Sequence, residues 1–183
     1  MRTRAGYCGG TSPSPSYTAI GDHTEAVSID FDPEVIHYED LLKYFWNAHH
    51  CGSGGGMRQY MIAVFYHNEG QQIMAERQRV KQAAKQGVPL ENVRTPVIPV
   101  GTFTYAEAYH QKYLLTRHSK LRTFLEQTYP DARELADSTV ATRLNAFLGW
   151  GFDRDIRVLA REIGGYGLPA DLASEVLAEA RKR

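Results

Sequence analysis

The chain has 183 residues, of which 43% are hydrophobic and 23% charged, a composition that excludes a disordered or fibrous protein. It carries 21 Lys and Arg against 21 Asp and Glu, and this zero formal charge argues against a general nucleic-acid surface. No apolar run approaches the roughly 20 residues of a membrane span, and the first residues lack the apolar core of a signal peptide. We therefore expect a cytoplasmic protein that contacts neither nucleic acid nor membrane.

Alternating and helical patterns predict a strand, helix, strand, helix, strand, helix order over about the first 115 residues. Val27, Ile29 and Phe31 alternate with polar residues, which predicts a half-buried strand. Pro96 and Pro99 remove two backbone donors from the last strand and place it at a sheet edge. The order predicts an α/β fold, an α+β sandwich with helices packed on a mixed sheet. The six predicted elements are strand 25–32, helix 38–46, strand 60–66, helix 69–86, strand 94–100 and helix 105–115.

After His118 the strand patterns disappear, and glycines and prolines separate four helical segments. We therefore predict two domains, an α/β domain over residues 1–117 and an all-helical C-terminal extension over residues 118–183. The four predicted helices cover residues 121–127, 138–148, 153–163 and 171–181.

Three glycines and two prolines fall within residues 6–17, so this segment is predicted to be an irregular loop. With residues 21–27 it resembles the methionine sulfoxide reductase A family, in which a GYxGG-xxPxPxY loop precedes an HxEAV strand. The resemblance covers about residues 2–115, because further family motifs follow in the family's order. These motifs lie at residues 31–33, 38–42, 45–49, 59–60 and 105–113.

The chemistry of sulfoxide reduction selects the candidate residues. A thiolate must attack the sulfur while the oxygen is held and protonated, and a carboxylic acid with neutral hydroxyl donors suits that oxygen. Glu25 begins a predicted strand beside a tyrosine-bearing loop, so it is the candidate acid. The resemblance implies that Tyr17 and Tyr60 assist it at the sulfoxide oxygen. Tyr7 and His23 are further candidates for substrate binding, although His23 also fits a structural role in the loop.

The resemblance implies a peptide-methionine (S)-S-oxide reductase, which repairs oxidised proteins by reducing methionine S-sulfoxide in a thiol-dependent reaction. It also implies that no cofactor or metal is bound, and that thioredoxin or another dithiol supplies the electrons.

The chain departs from the family at three places. The family's attacking cysteine lies in a Gly-Cys-Phe-Trp segment upstream of the glycine loop, and the sequence contains no such segment. Gly55 stands where the family usually has an aspartate, five residues before Tyr60. No cysteine follows Cys51, whereas family members commonly carry resolving cysteines near the C-terminus.

Several explanations of the absent nucleophile stay open. Met1 falls in what would be the family's second strand, so either the natural product is longer or the chain is a degenerate paralogue that acts as a binding module. The first explanation is preferred because losing a central strand leaves unpaired backbone and exposed core. A third is that Cys8, near Glu25, or Cys51, after two histidines, serves as the catalytic nucleophile.

A different functional class rests on the same cysteines. His49, His50, Cys51 and Cys8 offer the soft ligands that zinc or copper prefers, but no CxxC or HxxxH spacing is present. A metal-binding protein is therefore an alternative to the thiol enzyme. Another alternative is that both cysteines are small interior residues with no chemical role.

Overall fold

The structure is a computed structural model that describes residues 1–149 and 155–182. The chain divides into two compact units, the sheet unit Ala5–Ala106 and the helical unit, which joins Met1–Arg4 to Glu107–Arg183. The division falls after Ala106 and not after residue 117 as expected. Leu115 explains the difference, because this fully buried residue belongs to the apolar core of the helical unit.

The described residues contain five strands, which are β1 (Arg2–Cys8), β2 (Thr24–Asp30), β3 (Val64–Tyr66), β4 (Val97–Pro99) and β5 (Thr104–Tyr105). One sheet has the order β2-β1-β5, and Gly6 of β1 lies opposite Tyr105 of the antiparallel β5. The other sheet pairs β3 with β4 in parallel, with Val64 opposite Val97. The mixed α/β fold class predicted from the sequence is confirmed.

Two amphipathic helices of the sheet unit are confirmed, α1 (Tyr38–Asn47) and α2 (Glu69–Gln86). The Asn68 side chain caps the start of α2 by accepting a hydrogen bond from a backbone amide, and Gly87, with φ +67°, ends the helix. Their apolar faces form the core of the sheet unit. That core comprises Leu42, Trp46, Cys51, Val64, Ala75, Ala83 and Val93.

The predicted burial of the apolar face of β2 is wrong. Val27 is 65% exposed and Ile29 is 40% exposed, although both alternate with polar residues as in a half-buried strand. These side chains border a cavity. The period of the strand was predicted correctly, but the sequence pattern cannot show whether anything covers its apolar face.

Two other strands are shorter than predicted. Residues 60–66 begin with the end of a 3-10 turn, Arg58–Tyr60, and only Val64–Tyr66 pairs as a strand. Residues 94–100 contain β4, whose pairing with β3 alone agrees with the predicted edge position. The prolines shorten β4 because they cannot donate to a ladder.

The continuous helix predicted over residues 105–115 is wrong. Tyr105 pairs in β5, a 3-10 turn follows at Ala108–His110, and a short helix, α3, covers Tyr113–Thr116. Lys112 lies between the last two with φ +50°, a left-handed conformation that interrupts any α-helix.

The described residues of the helical unit after Ala106 confirm the predicted all-helical character, and they include one helix, α5 (Ala132–Asp137), that was not predicted. Residues 150–154 include the predicted break at Trp150 and the start of the predicted helix 153–163, and they lie outside the described residues. No described helix has the length and apolar character that crossing a bilayer requires. After α3 the described helices are α4 (Ser119–Thr128), α5 (Ala132–Asp137), α6 (Thr139–Phe147), α7 (Ile156–Glu162) and α8 (Ala170–Lys182).

A buried lysine joins the chain's first residues to the rest of the helical unit. Lys112 is 5% exposed and donates a hydrogen bond to the backbone carbonyl of Thr3. Nearby, the Arg4 guanidinium forms an ion pair with Asp137. Burial and, to a smaller extent, repulsion by Arg4 lower the pKa of Lys112 to about 8, against the opposing attraction of Asp137.

The stability of the chain should therefore rise as the pH increases above about 8. The lysine pKa falls from its ordinary 10.5 to about 8 on folding, so between these values the unfolded chain binds the extra proton. The free energy of unfolding should increase by roughly 2–3 kcal/mol over this pH range. Urea unfolding at pH 8 and pH 10 measures it. Lys112→Met should lack most of this rise, and an unchanged pH dependence in the variant would contradict the assignment.

Candidate active site

Hydrogen bonds hold the 3-10 turn Arg58–Tyr60 against the start of β2. The Thr24 hydroxyl donates to the carbonyl of Arg58 at 3.0 Å. The Arg58 guanidinium donates to the backbone carbonyls of Asp22 at 2.8 Å and Gly9 at 2.6 Å. The turn is therefore fixed to both the strand and the loop that precedes it.

The loop that leads to Tyr17 is anchored by Asp22. Its carboxylate accepts hydrogen bonds from the backbone amides of Ser12 and Thr11, both at 2.9 Å, and from the Thr11 hydroxyl at 3.0 Å. These bonds, led by that of Ser12, hold the pKa of Asp22 well below its usual range. The His23 ring donates from Nε2 to the Ser12 carbonyl at 2.9 Å and is only 2% exposed. His23 thus has the structural contacts of a loop anchor.

Three candidate residues meet at the surface of the sheet unit, although 43 positions separate the first from the last. The hydroxyls of Tyr17 and Tyr60 share a hydrogen bond, which raises the pKa of Tyr60 because a phenolate could not donate it. Glu25 is close enough for its negative charge to raise that pKa further. Tyr17 is 40% exposed and Tyr60 46% exposed, so a ligand can reach both hydroxyls.

Glu25 also borders a cavity of about 400 Å³ with a largely apolar lining. One carboxyl group therefore adjoins both a pair of hydroxyl donors and an apolar space. The lining includes Cys8, Val27, Ile29, Phe31, Tyr38, Phe45 and Phe103.

The remaining predicted residues are buried. Cys8 is 1% exposed, and burial raises its pKa to about 11 against an opposing effect of Arg58. Its thiol is therefore neutral at pH 7, although it lines the cavity beside Glu25. Cys51 is fully buried in the apolar core of the sheet unit, and Tyr7 is 1% exposed. Neither thiol has the accessible thiolate that nucleophilic attack requires.

The histidines and cysteines of the metal-binding alternative do not form a ligand cluster. His49 binds the Phe45 carbonyl through Nδ1 at 2.9 Å and contacts the Thr95 hydroxyl through Nε2 at 3.2 Å, so both ring nitrogens are engaged. Burial lowers the pKa of His49. The part of the chain that the structure describes brings together no three His, Cys, Asp or Glu residues able to hold a metal ion.

Gly55, which replaces the aspartate usual in the family, has no room for a side chain. Its φ is +75°, and a Cβ there would lie 2.1 Å from the carbonyl oxygen of Tyr60. The neighbouring Gly56 has a similar φ of +78° but open space around its Cβ position. The backbone beside Tyr60 is thus shaped around glycine at position 55.

Gly55→Asp should destabilise the chain by about 2–4 kcal/mol, because it adds a backbone clash to the strain of a positive φ. Gly56→Asp is the matched control and should cost only about 1 kcal/mol, since it introduces the strain alone. Urea unfolding of the two variants measures the difference. Equal costs would mean that the loop relaxes freely around position 55.

Tyr17→Phe should lower the pKa of Tyr60, because the hydrogen bond that Tyr60 donates to Tyr17 is the largest cause of its elevation. Ultraviolet titration of tyrosine ionisation in the wild type and the variant measures the change. Tyr44→Phe removes a 75% exposed tyrosine of α1 and should leave the Tyr60 titration as it was. An unchanged Tyr60 titration in Tyr17→Phe would contradict the hydroxyl contact.

Sequence reasoning missed three residues that build the site, namely Gln59, Arg58 and Asp22. The Gln59 side chain donates to Glu25 at 2.7 Å, and the other two anchor the turn and the loop. Gln59 belongs to the Gln-Tyr motif that carries Tyr60, and this adjacency was the one available signal. Side-chain bonds to backbone many positions away leave no periodic pattern in a sequence.

Comparison with known proteins adds independent findings. The family described as "Peptide methionine sulfoxide reductase" matches residues 1–142, well beyond the expected end at about residue 115. A peptide methionine sulfoxide reductase of Drosophila melanogaster is 39% identical over 149 residues, which cover 81% of this chain and 58% of the relative. Peptide methionine sulfoxide reductase A5 of Arabidopsis thaliana is 33% identical over 80% of this chain and 58% of its own length. The chain thus spans just under three fifths of these relatives.

A solved structure supports the fold. The crystal structure of reduced Mxr1 from Saccharomyces cerevisiae superposes with a TM-score of 0.57 at 24% identity, covering 64% of this chain and 71% of Mxr1. Since the family match includes most of the residues, the chain belongs to the peptide methionine sulfoxide reductase family.

Proposed function

We propose that this chain binds methionine S-sulfoxide in oxidised proteins and, with an attacking thiol, takes part in its reduction to methionine. The observation that carries the proposal is the hydrogen-bonded pair Tyr17 and Tyr60 beside Glu25, at the positions that match the family motifs. Membership of the family supports the same reaction.

The three side chains suit a sulfoxide oxygen. This oxygen is a strong acceptor. Tyr60, whose pKa is raised, is a neutral phenol, and the one hydroxyl proton that it donates to Tyr17 can be donated to the ligand oxygen instead. Glu25 can supply the proton that the oxygen needs as its bond to sulfur breaks. The apolar cavity that Glu25 borders provides a space for the methyl group and side chain of the oxidised methionine.

The reaction balances as an oxygen transfer from sulfur to sulfur. The thiolate attacks the sulfoxide sulfur and forms a sulfur–sulfur bond, while protonation lets the oxygen leave as water. Water then attacks the sulfur of the former thiol, the sulfur–sulfur bond breaks with its electron pair going to methionine, and the thioether is released. The thiol has lost two electrons and has become a sulfenic acid. A dithiol, which we propose to be thioredoxin or a similar protein, then reduces the sulfenic acid and releases water.

The attacking thiol is proposed to lie outside the two cysteines of this sequence. The thiol of Cys8 is neutral at pH 7 because its pKa is raised to about 11, and Cys51 is packed in the core. The family's Gly-Cys-Phe-Trp segment is the source that the resemblance implies. The same burial favours a second candidate function for the 183 residues alone, namely binding of oxidised methionine without reduction.

Calorimetric titration with three matched peptides tests the binding. The peptides carry methionine S-sulfoxide, methionine R-sulfoxide or methionine at one position and are otherwise identical. The S-sulfoxide peptide should bind best, and Tyr60→Phe should weaken it about tenfold by removing one hydroxyl donor. Tyr44→Phe is the control. Equal affinity for the S-sulfoxide and methionine peptides would refute the proposal.

A further inference from the structure

A glutamine outside the three proposed oxygen-binding residues contacts the acid directly. Nε2 of Gln59 donates to Oε1 of Glu25 at 2.7 Å, which is short for a hydrogen bond from an amide nitrogen. Gln59 is half-buried at the centre of the turn Arg58–Tyr60, so it is also the chain neighbour of Tyr60. No step of the proposed reaction uses this side chain.

We infer that Gln59 is a positioning residue that holds one oxygen of the Glu25 carboxyl group and leaves the other free to face the bound sulfoxide oxygen. This inference rests on the proposed function. An exposed glutamate samples several rotamers, and fixing one oxygen removes that freedom before the ligand arrives.

The backbone on both sides of this bond is itself fixed. Thr24 precedes Glu25 in β2, and its hydroxyl binds the carbonyl of Arg58, which precedes Gln59 in the turn. Two successive pairs of residues therefore connect the strand to the turn, Thr24 with Arg58 and Glu25 with Gln59. Such a connection holds the Glu25 carboxyl at a constant position relative to the hydroxyl of Tyr60.

NMR of the Gln59 side-chain amide tests the inference in the full chain. In Glu25→Ala the amide signals of Gln59 should shift, because the carboxyl oxygen that accepts its hydrogen bond is lost. Glu39→Ala is the matched control, since it removes the oxygen that accepts a 2.9 Å hydrogen bond from Gln78. This control should leave the Gln59 signals unchanged, and circular dichroism should show both variants folded.

Binding of the S-sulfoxide peptide supplies the second measurement. Gln59→Met should weaken binding about three- to tenfold in the wild-type background and should have no further effect in Glu25→Gln. Unchanged Gln59 amide signals in Glu25→Ala would overturn the inference, as would an equal loss of binding in both backgrounds. If no variant prefers sulfoxide over methionine, the proposed function fails, while the amide signals still test the contact between Gln59 and Glu25.

Discussion

A longer version of the protein, with a Gly-Cys-Phe-Trp segment appended ahead of Met1, is expected to reduce methionine S-sulfoxide at least about 10³-fold faster than the 183 residues alone. The physical reason is the state of the thiols. Cys8 has its pKa raised to about 11, and Cys51 is fully buried, so neither presents a thiolate to a sulfoxide held at Glu25. A positioned thiolate converts a reaction with free reductant into an intramolecular one.

The exposed apolar face of β2 leads to an expectation about the stability of the longer protein. Val27 and Ile29 border the cavity beside Glu25, and the aromatic side chains of the appended segment can cover them. The longer protein should therefore also be more stable, since burial of apolar surface contributes about 25 cal/mol per Å². Urea unfolding of the two versions measures this gain.

Single-turnover reduction of an S-sulfoxide peptide, followed by mass spectrometry, measures the rate difference. Replacing the appended cysteine by serine should return the rate to that of the shorter chain. Comparable rates in both versions would contradict the prediction, and Cys8→Ser and Cys51→Ser made separately would then identify the thiol at work. Activity in neither version, with binding retained, would favour the binding-only function.

The elements that could be predicted from sequence are those whose evidence is local. Helix α2 is long and rich in polar residues, Asn68 caps its start, and Gly87 ends it. Its predicted bounds match the structure. Helix α1 also follows from its own amphipathic pattern. The predicted helix at residues 105–115 was wrong because its tyrosine spacing mimicked a helical face, while β1 paired with Tyr105 and Lys112 adopted a positive φ. Contacts with residues far away in the sequence therefore overrode the local helical pattern.

The candidate site, too, depends on contacts between distant segments that no local pattern reveals. Tyr17, Glu25 and Tyr60 come from three separate segments, and nothing in their spacing indicates that they meet. Their meeting was expected from the family motifs and not from periodicity. The contact between Gln59 and Glu25 escaped detection because one hydrogen bond across 34 positions leaves no mark on composition or pattern.

Glu25→Gln in the longer protein is expected to slow the chemical step by about 10²- to 10⁴-fold, the usual cost of removing a general acid. Binding of the S-sulfoxide peptide should change little, because the amide still donates a hydrogen bond to the oxygen but cannot deliver a proton.

Single-turnover rates test this expectation with one further variant as the control. Glu34→Gln neutralises an exposed carboxylate in the turn after β2 and should retain the rate of the wild type. A Glu25→Gln protein with an unchanged rate would mean that Glu25 is a solvated carboxylate at the end of a strand. In that case the tyrosine pair alone would bind the sulfoxide oxygen, and the proton would have to come from water.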